Sequence, residues 1–242
     1  MRTLHSFLLV AVFALTLPTG SQAQAGSFEV SQLGHPVGTA SFNFSATPDG
    51  FDSTSLVRVS MKGLDYSLSK TEKLSASNEL KHVQLSAIVN GSVVSVTAAP
   101  DSVQLLLNVS ANGHSSTARL AVHPAAVFLP DFDPGALETL LAIAVSRNNR
   151  DLWAILPKQS GAQPGSVAAV QLATYADEQG TLNGKPIAVH HLVATIDGGR
   201  TDLFSGPQNQ LLQAELPQQG FALVRKGFVL TPPNKPQAPP AS

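Results

Sequence analysis

From residue 28 to residue 122 apolar and polar side chains alternate with a period of two. Ala40, Phe42, Phe44 and Ala46 alternate with Ser41, Asn43 and Ser45; Val57, Val59 and Met61 with Arg58, Ser60 and Lys62; Leu64, Tyr66 and Leu68 with Asp65, Ser67 and Ser69. The pattern continues through Val83–Val89, Val94–Ala98, Val103–Val109 and Ala118–Val122. Successive side chains of a strand point to opposite faces, so each run predicts a strand with one face in a core and one in water. Asp49-Gly50, Asn90-Gly91 and Asn112-Gly113 fall between the runs and supply the positive φ that tight hairpins need.

The period then changes. Asp133 suits an N-cap and Pro134 the first helical position, where its missing N–H costs nothing. Ala136, Leu137, Leu140, Leu141, Ala144 and Val145 follow at helical spacing, predicting a helix over 133–148 whose apolar stripe packs on the sheet. Strands resume at Leu152–Leu156, Val167–Tyr175, Pro186–Ile196, Arg200–Phe204, Gln210–Leu216 and Phe221–Leu230. Turns at Asn183-Gly184, Asp197-Gly198-Gly199 and Pro207-Gln208-Asn209 separate them.

The predicted fold is mainly β: an antiparallel meander forming a curved sheet, open barrel or sandwich, with one central helix packed on it. Its parts are a first meander over 26–130, the helix over 133–148 and a second meander over 151–230. Whether the halves share one sheet is open at this level. Residues 231–242 contain five prolines and no apolar pattern, which predicts a disordered tail.

The amino terminus has its own pattern. Arg2 precedes an apolar run from Phe7 to Leu17, Pro18 and Gly20 follow, and Ala23-Gln24-Ala25 has the small residues of a cleavage site. An apolar run this short cannot cross ~30 Å of hydrocarbon, which takes roughly 20 residues. Residues 1–25 are therefore expected to be a signal peptide cut between Ala25 and Gly26, with a cut after Ala23 as the alternative. The mature chain is expected in the periplasm or outside a bacterial cell, with no transmembrane helix.

Composition narrows the function. Charged residues make up 13% of the chain, about half the usual share, and the net charge is −1. A nucleic-acid binder needs clustered Lys and Arg, so nucleic acid is not an expected partner. The chain has no cysteine, which excludes disulfides, thiolate metal sites and cysteine nucleophiles.

The motif search yields little chemistry. His190 and His191 are neighbours on a predicted strand and point to opposite faces, so they cannot share one metal ion. Ser67-Leu68-Ser69-Lys70 matches the S-x-x-K spacing of penicillin-recognising enzymes, but that spacing works on a helix, and a strand separates Ser67 from Lys70. Asp131, Asp133 and Glu138 suggest a carboxylate cluster; the simpler reading makes Asp133 the cap and puts Glu138 on an exposed turn. No catalytic residue, cofactor or metal is expected.

Phe28-Glu29-Val30, Gly34 and Val37-Gly38 resemble the opening of β-rich bacterial envelope domains. Ile155-Leu156-Pro157, Gly184-Lys185-Pro186, His190-His191-Leu192-Val193, Thr201-Asp202-Leu203-Phe204 and Glu215-Leu216-Pro217-Gln218-Gln219-Gly220 resemble the non-catalytic β domain that precedes some secreted bacterial α/β-hydrolases. That resemblance implies a β fold and an exported location and carries no catalytic residues. The expected function is that of a non-catalytic envelope protein whose partner is a lipid, another apolar ligand or another envelope protein. A structural or interaction module and a hydrolase-associated accessory domain are the alternatives. Leu137, Leu140, Leu141 and Val145 are expected to line any ligand cavity, facing strands 40–46, 57–62 and 83–89.

Overall fold

The computed structural model describes residues 24–158 and 164–232. Of the expected signal peptide over 1–25, residues 1–23 lie outside the described residues, as does the expected tail beyond Pro232. Seventeen strands form one sheet, with a single helix among the described residues. The first meander comprises β1 (Ala25–Gln32), β2 (His35–Thr47), β3 (Gly50–Met61), β4 (Leu64–Ser75), β5 (Leu80–Val89), β6 (Ser92–Asp101), β7 (Gln104–Ala111) and β8 (His114–Ala121). A short β9 (Ala126–Phe128) precedes the helix α1 (Pro134–Ser146). The second half holds β10 (Leu152–Pro157), β11 (Gly165–Thr174), β12 (Glu178–Leu182), β13 (Lys185–Ile196), β14 (Gly199–Ser205), β15 (Leu211–Leu216), β16 (Phe221–Arg225) and β17 (Phe228–Leu230).

The two halves are one sheet because β1 pairs with β2 on one side and β16 on the other. From this seam the sheet runs through β2 to β8 in one direction and through β16, β15, β14, β13, β11 and β10 to β9 in the other. It curves without closing. One pairing departs from a pure meander: β9 runs parallel to β10, because α1 intervenes as the crossover between them. Strand β12 was not anticipated, and the expected strand Phe221–Leu230 is two: Lys226-Gly227, with Gly227 at φ 81°, turns the chain so that β17 leaves β16 and pairs with β12. A small second core of Val189, Phe204, Leu212 and Phe228 lies there.

The turn chemistry follows the sequence. Asn90-Gly91, Asn112-Gly113, Asn183-Gly184 and Asp197-Gly198 have positive φ at both residues, the geometry that matches the twist of the strands they join. One row across the water-facing side of the first meander is made of uncharged hydroxyls and amides, while Asp52, Arg58 and Leu56 are exposed elsewhere on that face. Asn43, Thr54, Thr71, Gln84, Thr97, Asn108 and Thr117 stand in register across β2–β8, and Thr117 Oγ1 donates to Asn108 Oδ1 at 2.7 Å.

The concave side is filled. Apart from Glu138 and Thr139, helix α1 presents apolar side chains on nearly every side, so it is stable only when enclosed, and Pro134 to Leu141 are all buried. It touches β1, β2 and β3 on one side and β9, β10 and β15 on the other, whereas β5 packs on β9. The expectation that the helix faces strand 83–89 is corrected accordingly. Leu137, Leu140 and Leu141 are buried as expected, but Val145 is 58% exposed. Seven residues after Glu138, it stands on the face shared by Glu138 and Ala142, which turns to the mouth of the sheet.

The helix is seated by charge as well as by packing. Lys70 and Glu72 continue the inward face of β4 beyond Tyr66 and Leu68 and are fully buried. Lys70 Nζ lies 2.9 Å from Glu72 Oε2 and 2.6 Å from Asp133 Oδ2. Asp133 Oδ1 meanwhile accepts the N–H groups of Gly135 (2.9 Å) and Ala136 (3.3 Å). One carboxylate thus caps the helix and anchors it to the sheet. Ser55 and Ser53 sit opposite Lys70 and Glu72 on β3, small enough to admit the long side chains. A Cβ on Gly135 would come within 2.5 Å of Ser55 Oγ and 3.0 Å of Phe42 Cβ, so only glycine permits this approach.

Removing the cation leaves two buried carboxylates facing each other. Lys70→Met is expected to cost about 3–5 kcal/mol in urea unfolding, the usual penalty for breaking a buried pair. Leu140→Ala is expected to cost ~2–5 kcal/mol, as in a tight core. A loss under about 1 kcal/mol for either variant would contradict this packing.

Candidate functional site

Around α1 the interior leaves two openings. The larger is a cavity of about 310 Å³ where the segment Leu129–Asp133 passes the turns after β13 and β15. Its floor is apolar: Leu129, Phe132, Leu137, Leu156, Ile196, Leu216 and Leu223. Its rim is polar: Asp131, Asp197, Arg200, Thr201, Gln218 and Gln219. The smaller, about 200 Å³, lies on the other side of the helix, lined by Gln24, Phe44, Ala46, Phe51, Asn78, Glu138, Thr139 and Ala142.

Local geometry builds the larger cavity. Phe132 has φ 56°, a left-handed conformation that a bulky side chain adopts only when its surroundings impose it, at about 1–3 kcal/mol. Its ring packs edge-to-face on Tyr66 and Phe221, with centroids 5.8 and 4.7 Å away. The reversal at Phe132 lets Asp133 turn inward to Lys70 while Asp131 stays at the surface. Tyr66, beneath, is held well above the usual phenol range by burial and by Asp131 and Asp133, so it remains a neutral hydrogen-bond donor. On the opposite rim Arg200 grips Asp202 through Nε (2.8 Å) and Nη2 (2.6 Å). These bonds hold the Asp202 carboxyl below the usual range against its partial burial. Asp202 neutralises Arg200, and Asp131 and Asp197 give the rim a negative bias.

The lining contains no histidine, serine or lysine. An apolar floor under a polar rim can bind and orient a ligand. Lys70, behind the wall, is no base either. Burial alone would push its ammonium down, but Asp133 and Glu72 outweigh burial and hold it above the usual lysine range. One cation cannot serve both carboxylates fully. Glu72, whose Oε1 lacks a partner among the described residues, is the one that burial pushes up.

Of the residues expected to line a cavity, Leu137 borders the larger one, Leu140 and Leu141 are buried, and Val145 is exposed. The signal-cleavage pair Ala25 and Gly26 is paired in β1 with Asn43 and Phe42. Ser67 and Lys70 are on opposite faces of β4, Ser67 half-buried and Lys70 enclosed. His190 Nδ1 meets Asp177 at 3.0 Å. His191 is stacked on Phe204 at 4.5 Å, its Nδ1 3.2 Å from Glu178 and its Nε2 3.0 Å from Asp202. The two carboxylates lie on opposite sides of the ring and do not converge with it on one ion. Among the described residues no group of three metal-ligating side chains exists, and no helix is long and apolar enough to cross a membrane.

Glu138 is corrected: it is buried, not on an exposed turn. Its Oε2 accepts the Leu211 N–H at 2.7 Å and its Oε1 the Gln24 side-chain amide. The sequence carried one signal for this, since Glu138 sits inside an otherwise apolar helix. Lys70 and Glu72 were legible too, had the alternation through Leu68 been carried on.

Comparison of the chain with protein families, characterised proteins and solved structures returns no match.

Burial pushes Glu138 up from 4.5 to about 7, against the opposing pull of the Leu211 N–H and Arg225. Below pH 4.5 the group is protonated both folded and unfolded. As pH rises from 4.5 to 7 the unfolded chain loses this proton first, so stability falls through that window by up to about 3 kcal/mol. Urea midpoints measured against pH should show the fall in the wild type and lose it in Glu138→Gln. An equal fall in both would assign it to another group.

Proposed function

We propose that this is an exported, non-catalytic protein of the bacterial envelope that holds a small amphipathic ligand in the cavity beneath Leu129–Asp133. One observation carries the reading: beside α1, which fills the concave face, lies a cavity of about 310 Å³ with apolar residues below a polar rim. Ligand pockets run from about 300 to 1,000 Å³, so this one suits a small molecule rather than a long acyl chain. The strained Phe132 at its edge supports the reading, because backbone strain persists where the surroundings over-determine it and clusters at ligand clamps. The negative bias of Asp131 and Asp197 favours a hydroxylated or cationic head group.

Calorimetric titration of the purified protein with hexyl glucoside tests this. Binding is expected for the wild type, with palmitate no better a ligand. Ile196→Trp, which narrows the cavity from its half-buried edge, should lose binding by tenfold or more while keeping the thermal midpoint within a few degrees. No binding by the wild type, or equal binding by the variant, overturns the reading. That result would favour a docking module, for which the row of uncharged polar side chains from Asn43 to Thr117 across β2–β8 is the supporting feature.

A further inference from the structure

We infer that the export signal is removed between Ala23 and Gln24, not between Ala25 and Gly26, and that Gln24 becomes the first residue of a mature chain whose terminal strand is the seam of the sheet. The inference rests on the export reading and adds to it the site of the cut. Both positions satisfy the small-residue rule, Ser21 and Ala23 for one and Ala23 and Ala25 for the other, so sequence does not separate them.

The folded chain separates them by where each cut puts a charge. Gly26 is buried, and a Cβ there would lie 2.6 Å from the Phe42 ring and 2.7 Å from the Phe28 ring. A cut before Gly26 places the α-ammonium on a buried residue of β1, where an unpaired charge is disfavoured. A cut before Gln24 creates it at an exposed residue.

Three polar contacts also depend on the two residues at stake. The Gln24 carbonyl accepts the Phe44 N–H at 2.8 Å, extending the β1–β2 ladder beyond Ala25. The Gln24 side-chain amide donates to Oε1 of the buried Glu138, and Arg225 Nη2 donates to the Ala25 carbonyl. Losing Gln24 and Ala25 would leave Glu138 Oε1 and one arm of Arg225 without these partners and shorten the strand that joins the halves.

Peptide mass spectrometry of the protein recovered from the periplasm or culture medium decides the matter. A first residue of Gln24 is expected. A first residue of Gly26 overturns the cut while leaving export standing, and a cytoplasmic chain still beginning at Met1 overturns both. Two precursor variants sharpen the result. Ala25→Leu spoils only the later cut and should still begin at Gln24; Ser21→Leu spoils only the earlier one and should no longer yield a chain beginning at Gln24. The reverse pattern overturns the inference. Chains made to begin at Gln24 and at Gly26 should differ in thermal midpoint, the shorter one lower; equal midpoints overturn the structural argument for the cut.

Discussion

The ion pairs of Lys70 with Asp133 and Glu72 hold this architecture together. A largely apolar helix has little to fix its register against an apolar sheet, because dispersion and burial carry little direction. Asp133 removes that freedom. One oxygen satisfies the first helical N–H groups, and the other reaches a lysine rising from the centre of β4. Register of the helix along the sheet, the reversal at Phe132 and the cavity beneath it all follow from where that carboxylate must sit. Such a cluster adds little net stability over an apolar equivalent, since desolvation of three charges offsets their attraction. Its contribution is to select one seating of the helix.

The second constraint is closure. A long meander leaves open edges and a concave apolar face, and both invite association. The chain answers by filling the face with α1 and by joining its two halves through β1, the one strand with a partner from each half. The helix does not fill the space evenly. Its leucines pack solidly, and the openings fall to either side, where Leu137 and Phe132 border one and Glu138 borders the other. The apolar carrier anticipated from the helix-on-sheet layout therefore gives way to a narrower reading, with a small ligand at the edge of the helix.

Much of the fold was legible because strand alternation and turn chemistry are local. The runs in β2 to β8, the Asn-Gly hairpins and the Asp133-Pro134 helix start need only neighbouring residues to specify them, and they stand where the sequence put them. The candidate site was legible only in fragments. Leu137 and Asp131 were singled out, but nothing local says that residues 129–133 meet the turns at Asp197 and Gln218, far along the chain. Lys70 and Glu72 interrupt the apolar alternation of β4, and Glu138 interrupts that of α1; charge ordinarily means water, so residue type alone does not mark these three as buried.

By itself, then, the sequence determined the class of the fold, the positions of most strands, the capped start of the one helix and the low charge of the outer face. Each of these is a matter of periodicity, dihedral preference or composition. Tertiary structure decided which strands from the two halves pair across β1, which side of the helix faces the mouth, and that charged residues fill part of the interior. It decided too that Gly26 is buried while Gln24 is not. The physical reason is common to all of them. Burial and pairing of a polar group depend on partners far away in the chain, and a carboxylate such as Asp133 or Glu138 is admitted to the interior only once those partners have been brought to it.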